Sequence, residues 1–510
     1  MDDWAEIGRA LDAMATSGSA EVREDGEWLA ELATLRCELR REGKRSLVHL
    51  WSSERNLTRR VLGVKEILPE RIVLEVQRFG RARPGRLEFL RSDARRSAGR
   101  VTREQFRARF RRALAEKFPD ATIDSLTAAP DLEHSFSGLY VRGRMHEGPR
   151  SWAVLAAAPC ENSAAIESIL AFGILWLDWT RSHAGEARRQ DKQETRAVEG
   201  LRLFVPEGAG RMLEGRVLGL SSAARTEIFE FRGPEARIEK QEPADAANLE
   251  SWLMPRRDVE SLLTEAREAI EKIHPLALNW PPAGSEIGVR LVPGTNEVAL
   301  CFRGLEFGRW SREGLFFGLG DSRERLTKET EPALDECIRR LDLHRSALAS
   351  ETNHPLYRAA PERWIETLVL EDPARLDAQL DPRHLYSQVP ALEAGDRGVL
   401  DLLGVTRRGR LVVIELKATE DIQMAVQAVD YWLRVRRHQR EGDFLRFGYF
   451  AGVELDPQPS LLWLVAPGLR FHSATDTLLK YFSPEIHSTR IGLAENWRRG
   501  LKIIFRQQLS

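Results

Sequence analysis

Near the C-terminus two apolar runs, GVLDLLGV (398–405) and RLVVIELK (410–417), flank a short basic turn. Each has the length and β-branched content of a strand, so the pair is predicted to form a hairpin. Upstream, PERWIETLVLED (361–372) places Trp364, Ile365 and Leu368 on one helical face behind a leading proline. HLYSQVPAL (384–392) alternates as a strand does, and DIQMAVQAVDYWLRVRRH (421–438) has the period of a long helix. Strands interleaved with helices predict an α/β sheet. The middle of the chain has strand-like runs (GLRLFVP, TEIFEFR, IGVRLVP, EVALCFRGLEF) and a helix near 257–273, with no readable chemical motif.

Two interruptions divide the pattern. RSHAGEARRQDKQETR (181–196) is charged and poorly periodic, as a linker would be. ALASETNHP (347–355) follows a helix with Leu334, Ile338 and Leu341 on one face. The expectation is a multidomain α/β chain in three blocks: a basic domain over 1–180, an α/β domain of unknown function over 197–346, and a catalytic domain over 352–510. A length of 510 residues, 42% hydrophobic and 30% charged, suits several globular cores. The longest apolar run, 169–177, is far short of the roughly 20 residues of a membrane span. The start, MDDWAEIGRALD, is unlike a secretory signal, and the four cysteines are scattered without a CxxC pair. A cytoplasmic protein without a membrane partner is expected.

Charge changes the picture in two places. The net charge of −1 conceals a basic stretch: 36–112 holds 23 Lys and Arg against 9 Asp and Glu, with Trp51, Phe79, Phe89, Phe106 and Phe110 between them. Such a stretch is either a solvated surface or a nucleic-acid contact. The second place is the hairpin. Asp401 interrupts one apolar run, and Glu415 and Lys417 interrupt the other. Burying an unpaired charge costs several kcal/mol, on the order of the stability of a small domain. Side chains alternate along a strand, so Glu415 and Lys417 point the same way. If the strands pair, the two carboxylates converge and repel unless a cation lies between them. Hard oxygen donors suit Mg²⁺ or Mn²⁺. Lys417 would then orient water or stabilise charge on a phosphate. On the following helix Gln427 and Tyr431 share a face. The chain's other E-x-K, Glu42 and Lys44, sits in a basic turn and reads as surface.

The set G-x-x-D (Gly398, Asp401), E-x-K (Glu415, Lys417) and Q-x-x-x-Y (Gln427, Tyr431) resembles the PD-(D/E)xK nuclease superfamily, in its RecB-type and NucS-type branches. The resemblance covers about 361–440, with Leu400 where the proline of the motif would stand. It implies a restriction-endonuclease-like mixed sheet flanked by helices, and a Mg²⁺-dependent endonuclease acting on DNA. Asp401 and Glu415 would hold the metal, Lys417 would assist hydrolysis, and Gln427 and Tyr431 would support the site or touch the strand. Glu366 on the preceding helix would complete the site, with Glu362 and Glu371 as competitors. The alternative is an inactive nuclease fold serving as a nucleic-acid-binding scaffold; the plainer reading of the charges is a structural ion pair. No phosphate loop, HExxH or GxSxG motif competes, and the eleven histidines show no ligand spacing.

The first block contains an echo. GLYVRGRMHEGPRSWAVLAAA (138–158) parallels GVLDLLGVTRRGRLVVIELKA (398–418), and helices precede and follow both. With a one-residue shift in the turn, Val141 falls on Asp401, Ala156 on Glu415 and Ala158 on Lys417. The expectation is a degenerate second copy whose ligands have become apolar. Phosphate contacts are expected from Arg55, Arg59 and Arg60, from Arg107, Arg111 and Arg112, and from Arg434 and Arg437. The reading leaves room for a homodimer.

Overall fold

The computed structural model describes residues 3–509 apart from short stretches, the longest being 274–286, 243–250, 391–398, 78–83 and 191–196. The molecule is mixed α/β, with four sheets among the described residues. It forms two compact units built from non-consecutive segments: 1–98, 255–371 and 498–500 in one, and 99–254, 372–497 and 501–510 in the other. These units cut across the three consecutive blocks expected from the sequence.

The first unit holds two antiparallel sheets. One is seven-stranded, with Glu27–Glu31 and Arg36–Glu42 at its edges and the helix Asp3–Thr16 burying Ile7, Leu11 and Met14 on it. The other is five-stranded, from Gly288–Leu291 to Glu324–Arg325. It shares a core with the helices Arg256–Ile273 and Glu331–His344.

The second unit contains one topology twice. The first copy comprises α1 (Ser92–Lys117, from 99 onward in this unit), β1 (Ala121–Ile123), β2 (Tyr140–Glu147), β3 (Arg150–Ala157), α2 (Ser163–Gln190), β4 (Val198–Pro206), α3 (Gly210–Val217), β5 (Thr226–Arg232) and β6 (Arg237–Lys240). The second comprises β7 (Leu380–Pro390), β8 (Val399–Thr406), β9 (Leu411–Leu416), α4 (Met424–Glu441), β10 (Leu461–Pro467), α5 (Thr475–Leu479), β11 (His487–Leu493) and β12 (Ile503–Leu509). Both six-stranded sheets follow chain order. In each, three antiparallel strands lead to two successive parallel pairings and a closing antiparallel strand. A parallel pairing needs a crossover, and α2 and α4 supply it at the same point of each copy.

This arrangement explains two departures from the sequence reading. The stretch 181–190 is not a linker; it is the last part of α2, whose apolar face continues through Ile174 and Leu177. And 197–240 does not open a middle domain, because β4 pairs with β3 (Leu155 with Leu203) and completes the first sheet. The middle block is therefore divided: 198–240 belongs to the first copy, and the rest, around the five-stranded sheet, has its own core.

The central strand β9, LVVIEL, is buried at every position, Glu415 included. Its turn from β8 is fixed by Gly409 at φ +83°, where an added Cβ would lie 2.0 Å from the carbonyl oxygen of Glu454. No other residue fits there.

The echo is a real duplication of topology, but its register differs from the sequence alignment by one residue. The turn between β2 and β3 has two residues, since Glu147 pairs with Arg150. The turn between β8 and β9 has three, since Thr406 bonds to Arg410. A one-residue slip moves a strand's side chains to the other face. Val141, Ala156 and Ala158 accordingly pack against Phe106 and Phe110 of α1. The face toward α2 carries Tyr140, Ala153, Leu155 and Ala157, whereas Val413 and Leu403 mark the face toward α4. Counted from the turn on the helix face, Asp401, Glu415 and Lys417 correspond to Arg142, Leu155 and Ala157. The first copy thus has a cation and two apolar residues there, not three apolar ones.

Candidate active site

The hairpin places the first two groups. Leu402 pairs with Ile414 and Leu403 with Val413, and continuing that register sets Asp401 opposite Glu415. Asp401 Oδ2 accepts the Leu416 N–H at 2.9 Å, which anchors its carboxylate across the strand gap. Glu415 is only 2% exposed. Its Oε1 lies 3.3 Å from Lys417 Nζ, while its Oε2 is fully buried and has no hydrogen-bond donor.

Lys417 is held from three sides. Its Nζ donates to Gln427 Oε1 at 2.9 Å and lies 3.3 Å from Asp421 Oδ2, besides its contact with Glu415. Gln427 comes from the second turn of α4. Tyr431 follows one turn later on the same face, partly buried against the shared core. The structure therefore brings together Asp401, Glu415, Lys417, Gln427 and Tyr431. It adds Asp421, which sequence reasoning missed. Asp421 belongs to neither strand nor helix; its Oδ1 accepts the Gln423 N–H at 2.8 Å at the start of α4. The available signal was its i,i+4 spacing from Lys417.

The electrostatics follow from this crowding. Burial first, then the Asp401 charge, push the Glu415 carboxyl up to about 8, with Lys417 pulling the other way. Burial alone would depress the Lys417 ammonium, but Glu415, Asp421 and Asp401 outweigh it and raise its pKa. Burial and the same two strand carboxylates raise the Tyr431 hydroxyl, so it stays protonated. An acid that resists ionisation beside another acid, with a buried oxygen lacking a donor, is a carboxylate pair short of positive charge. Lys417 offsets part of it. The donors are hard oxygens, and a small divalent cation fits them.

No protein-family model matches the sequence, and no curated protein matches it.

The other expected residues are placed as follows. Glu366 lies in the helix Pro361–Glu371, 4% exposed, in the first unit; its Oε2 accepts from Arg363 at 2.6 Å. Arg59 is on the strand Asn56–Leu68 and is buried in a two-pronged pair with Glu24, at 2.6 and 3.1 Å. Arg434 is 3% exposed and lies 3.4 Å from Asp430. Those two guanidiniums are committed to internal carboxylates and do not offer themselves to phosphate. Arg437 is half-buried and pairs with Glu441. Arg107 donates to the Leu126 carbonyl at 3.4 Å. Arg60, Arg111 and Arg112 are exposed. Arg55 and Gly398 lie outside the described residues.

Histidines without ligand spacing in sequence do meet carboxylates in space. His438, Glu441 and Asp443 cluster, as do His344, Glu351 and His354. His438 is already engaged at both ring nitrogens, by Asp443 Oδ2 and by Ser251 Oγ, each at 2.6 Å. This chain of bonds ties the 251–254 segment to the end of α4. No helix among the described residues is long and apolar enough to cross a membrane.

Proposed function

We propose that the second copy is a Mg²⁺- or Mn²⁺-dependent deoxyribonuclease of the PD-(D/E)xK type, hydrolysing phosphodiester bonds in DNA. The observation that carries this reading is Glu415: a buried carboxylate, opposite Asp401, with one oxygen lacking any donor and with a lysine two residues on. As a structural ion pair alone, the arrangement leaves this oxygen uncompensated, at a cost of about 1–3 kcal/mol for a buried acceptor without a partner. Asp401 and Glu415 would hold the metal. A bound divalent cation would lower the pKa of water and offset phosphate charge.

The chain's own residues supply the rest. Gln427 and Asp421 fix the Lys417 ammonium, so that it meets the scissile phosphate without reorganising. The raised Lys417 pKa keeps it charged at neutral pH, which makes it a stabiliser of negative charge and not a base. Tyr431 stays a neutral donor at the same cleft. A cytoplasmic location remains part of this reading.

The test is a panel of single-stranded, duplex and branched DNA incubated with the full chain in Mg²⁺ or Mn²⁺, and again in chelator. Cleavage of at least one substrate that chelator abolishes is expected. Metal-dependent binding without cleavage would favour the inactive-scaffold alternative instead.

A further inference from the structure

We infer that each chain carries a single cutting centre and opens only one strand of duplex DNA, because the first copy occupies the surface on which a second active copy would dock. The inference rests on the nuclease reading and deepens it.

The two copies meet with the reciprocity of a two-fold axis. Helix α4 of the second copy packs on α3 of the first, and α2 of the first packs on α5 of the second. Exchanging the copies turns one contact into the other, as an isologous dimer interface requires. At the centre, the segments that follow α3 and α5 pair antiparallel: Leu220 bridges Phe482, Ser221 N–H donates to Tyr481 O at 2.9 Å, and Ser483 N–H donates to Gly219 O at 2.8 Å. Side chains repeat the exchange. Asp178 on α2 accepts from Tyr481 Oη at 3.0 Å, and Asp430 on α4 faces Arg216 on α3 at 3.9 Å.

This interface is closed and apolar. Ile174, Leu177, Ala428, Val429, Leu478 and Phe482 share one continuous core. Gly219 lies so close to α4 that an added Cβ would sit 2.1 Å from Val429 Cγ1. A pairing of this kind is a domain core, and a second chain does not displace it. The first copy cannot cut in its turn. On its helix face Arg142, 6% exposed and stacked 5.7 Å from the Trp176 ring, stands at the position of Asp401, with Leu155 and Ala157 at those of Glu415 and Lys417. It can hold no divalent cation there.

The experiment follows supercoiled plasmid with the full-length wild-type chain in Mn²⁺, at a concentration where sedimentation gives its mass. The expected result is a one-chain particle that accumulates open circles, with linear DNA appearing only as random second hits. Linear DNA formed directly from supercoiled DNA, or a two-chain active particle, would overturn the inference while leaving the nuclease reading intact. Mixing in the Glu415→Ala chain should lower the nicking rate in linear proportion to the wild-type fraction. A quadratic dependence would also overturn the inference. Wild-type chain that cuts no form of the plasmid overturns the inference; if it also cuts neither single-stranded nor branched DNA, the nuclease reading falls with it.

Discussion

At the residue scale the site is a balance between two carboxylates and one ammonium. Lys417 is no ligand in this account, so Lys417→Ala should lower single-turnover cleavage by about 10²-fold, the size of one preorganised charge contact, and still bind Mn²⁺. Loss of Mn²⁺ binding, read by calorimetry, would show that Lys417 does something else. A second prediction concerns Glu415 without metal. Its folded pKa lies above its ordinary 4.5, at about 8, so between those values the native state keeps a proton that the unfolded chain has released. Stability in chelator should therefore fall as pH rises across that window. Glu415→Gln removes the ionisation, and its melting temperature should fall less steeply from pH 5 to 8. Parallel curves for the two proteins would contradict the burial argument. Asp421 shows what the sequence hid: a carboxylate in a connecting turn, recognisable only once Lys417 is seen to reach it.

At the element scale the hairpin β8–β9 and the helix α4 were legible because apolar run, turn and helical period agree there. The charges inside the runs then stood out as a site. What could not be read was parity. A turn of two residues in the first copy and three in the second shifts the strands by one, and the alignment of Val141, Ala156 and Ala158 with the charged positions fell on the wrong face. Two of the three later strands of the first copy, GLRLFVP and TEIFEFR, are legible as strands, but the charged end of α2 reads as a linker and so separates them from the sheet they complete. The matching ends of β4 and β10, at Pro206 and Pro467, were the overlooked signal. The basic stretch was similarly half-read: Arg59 is internal, while Arg111 and Arg112 are exposed on α1. Two outcomes separate these roles. Arg59→Ala should cost about 3 kcal/mol of stability in denaturant, since it removes the guanidinium that faces the buried Glu24 carboxylate, and leave the salt dependence of DNA binding unchanged. Arg111→Ala with Arg112→Ala should leave stability unchanged and flatten the log–log salt slope by about one unit per lost phosphate contact. An unchanged slope in the double variant would make α1 a solvated face.

At the scale of the whole molecule, the segment 351–510 carries 21 basic and 21 acidic side chains, so its chemistry has no net attraction for a polyanion. Cutting and holding are accordingly divided in this account: the second copy supplies the carboxylates, and the exposed arginines of α1, on the first copy, supply charge. Duplication explains how a chain can spare one copy for packing and binding, since the fold survives when Asp401, Glu415 and Lys417 are replaced by Arg142, Leu155 and Ala157. The central claim is that Glu415, with Asp401, makes the second copy a metal-dependent nuclease. The most direct test is the single-turnover rate of DNA cleavage in Mn²⁺ for the wild type and for Glu415→Ala, both shown by circular dichroism to be folded. The account expects metal-dependent cleavage in the wild type and none above background in the variant; equal rates in the two would contradict it.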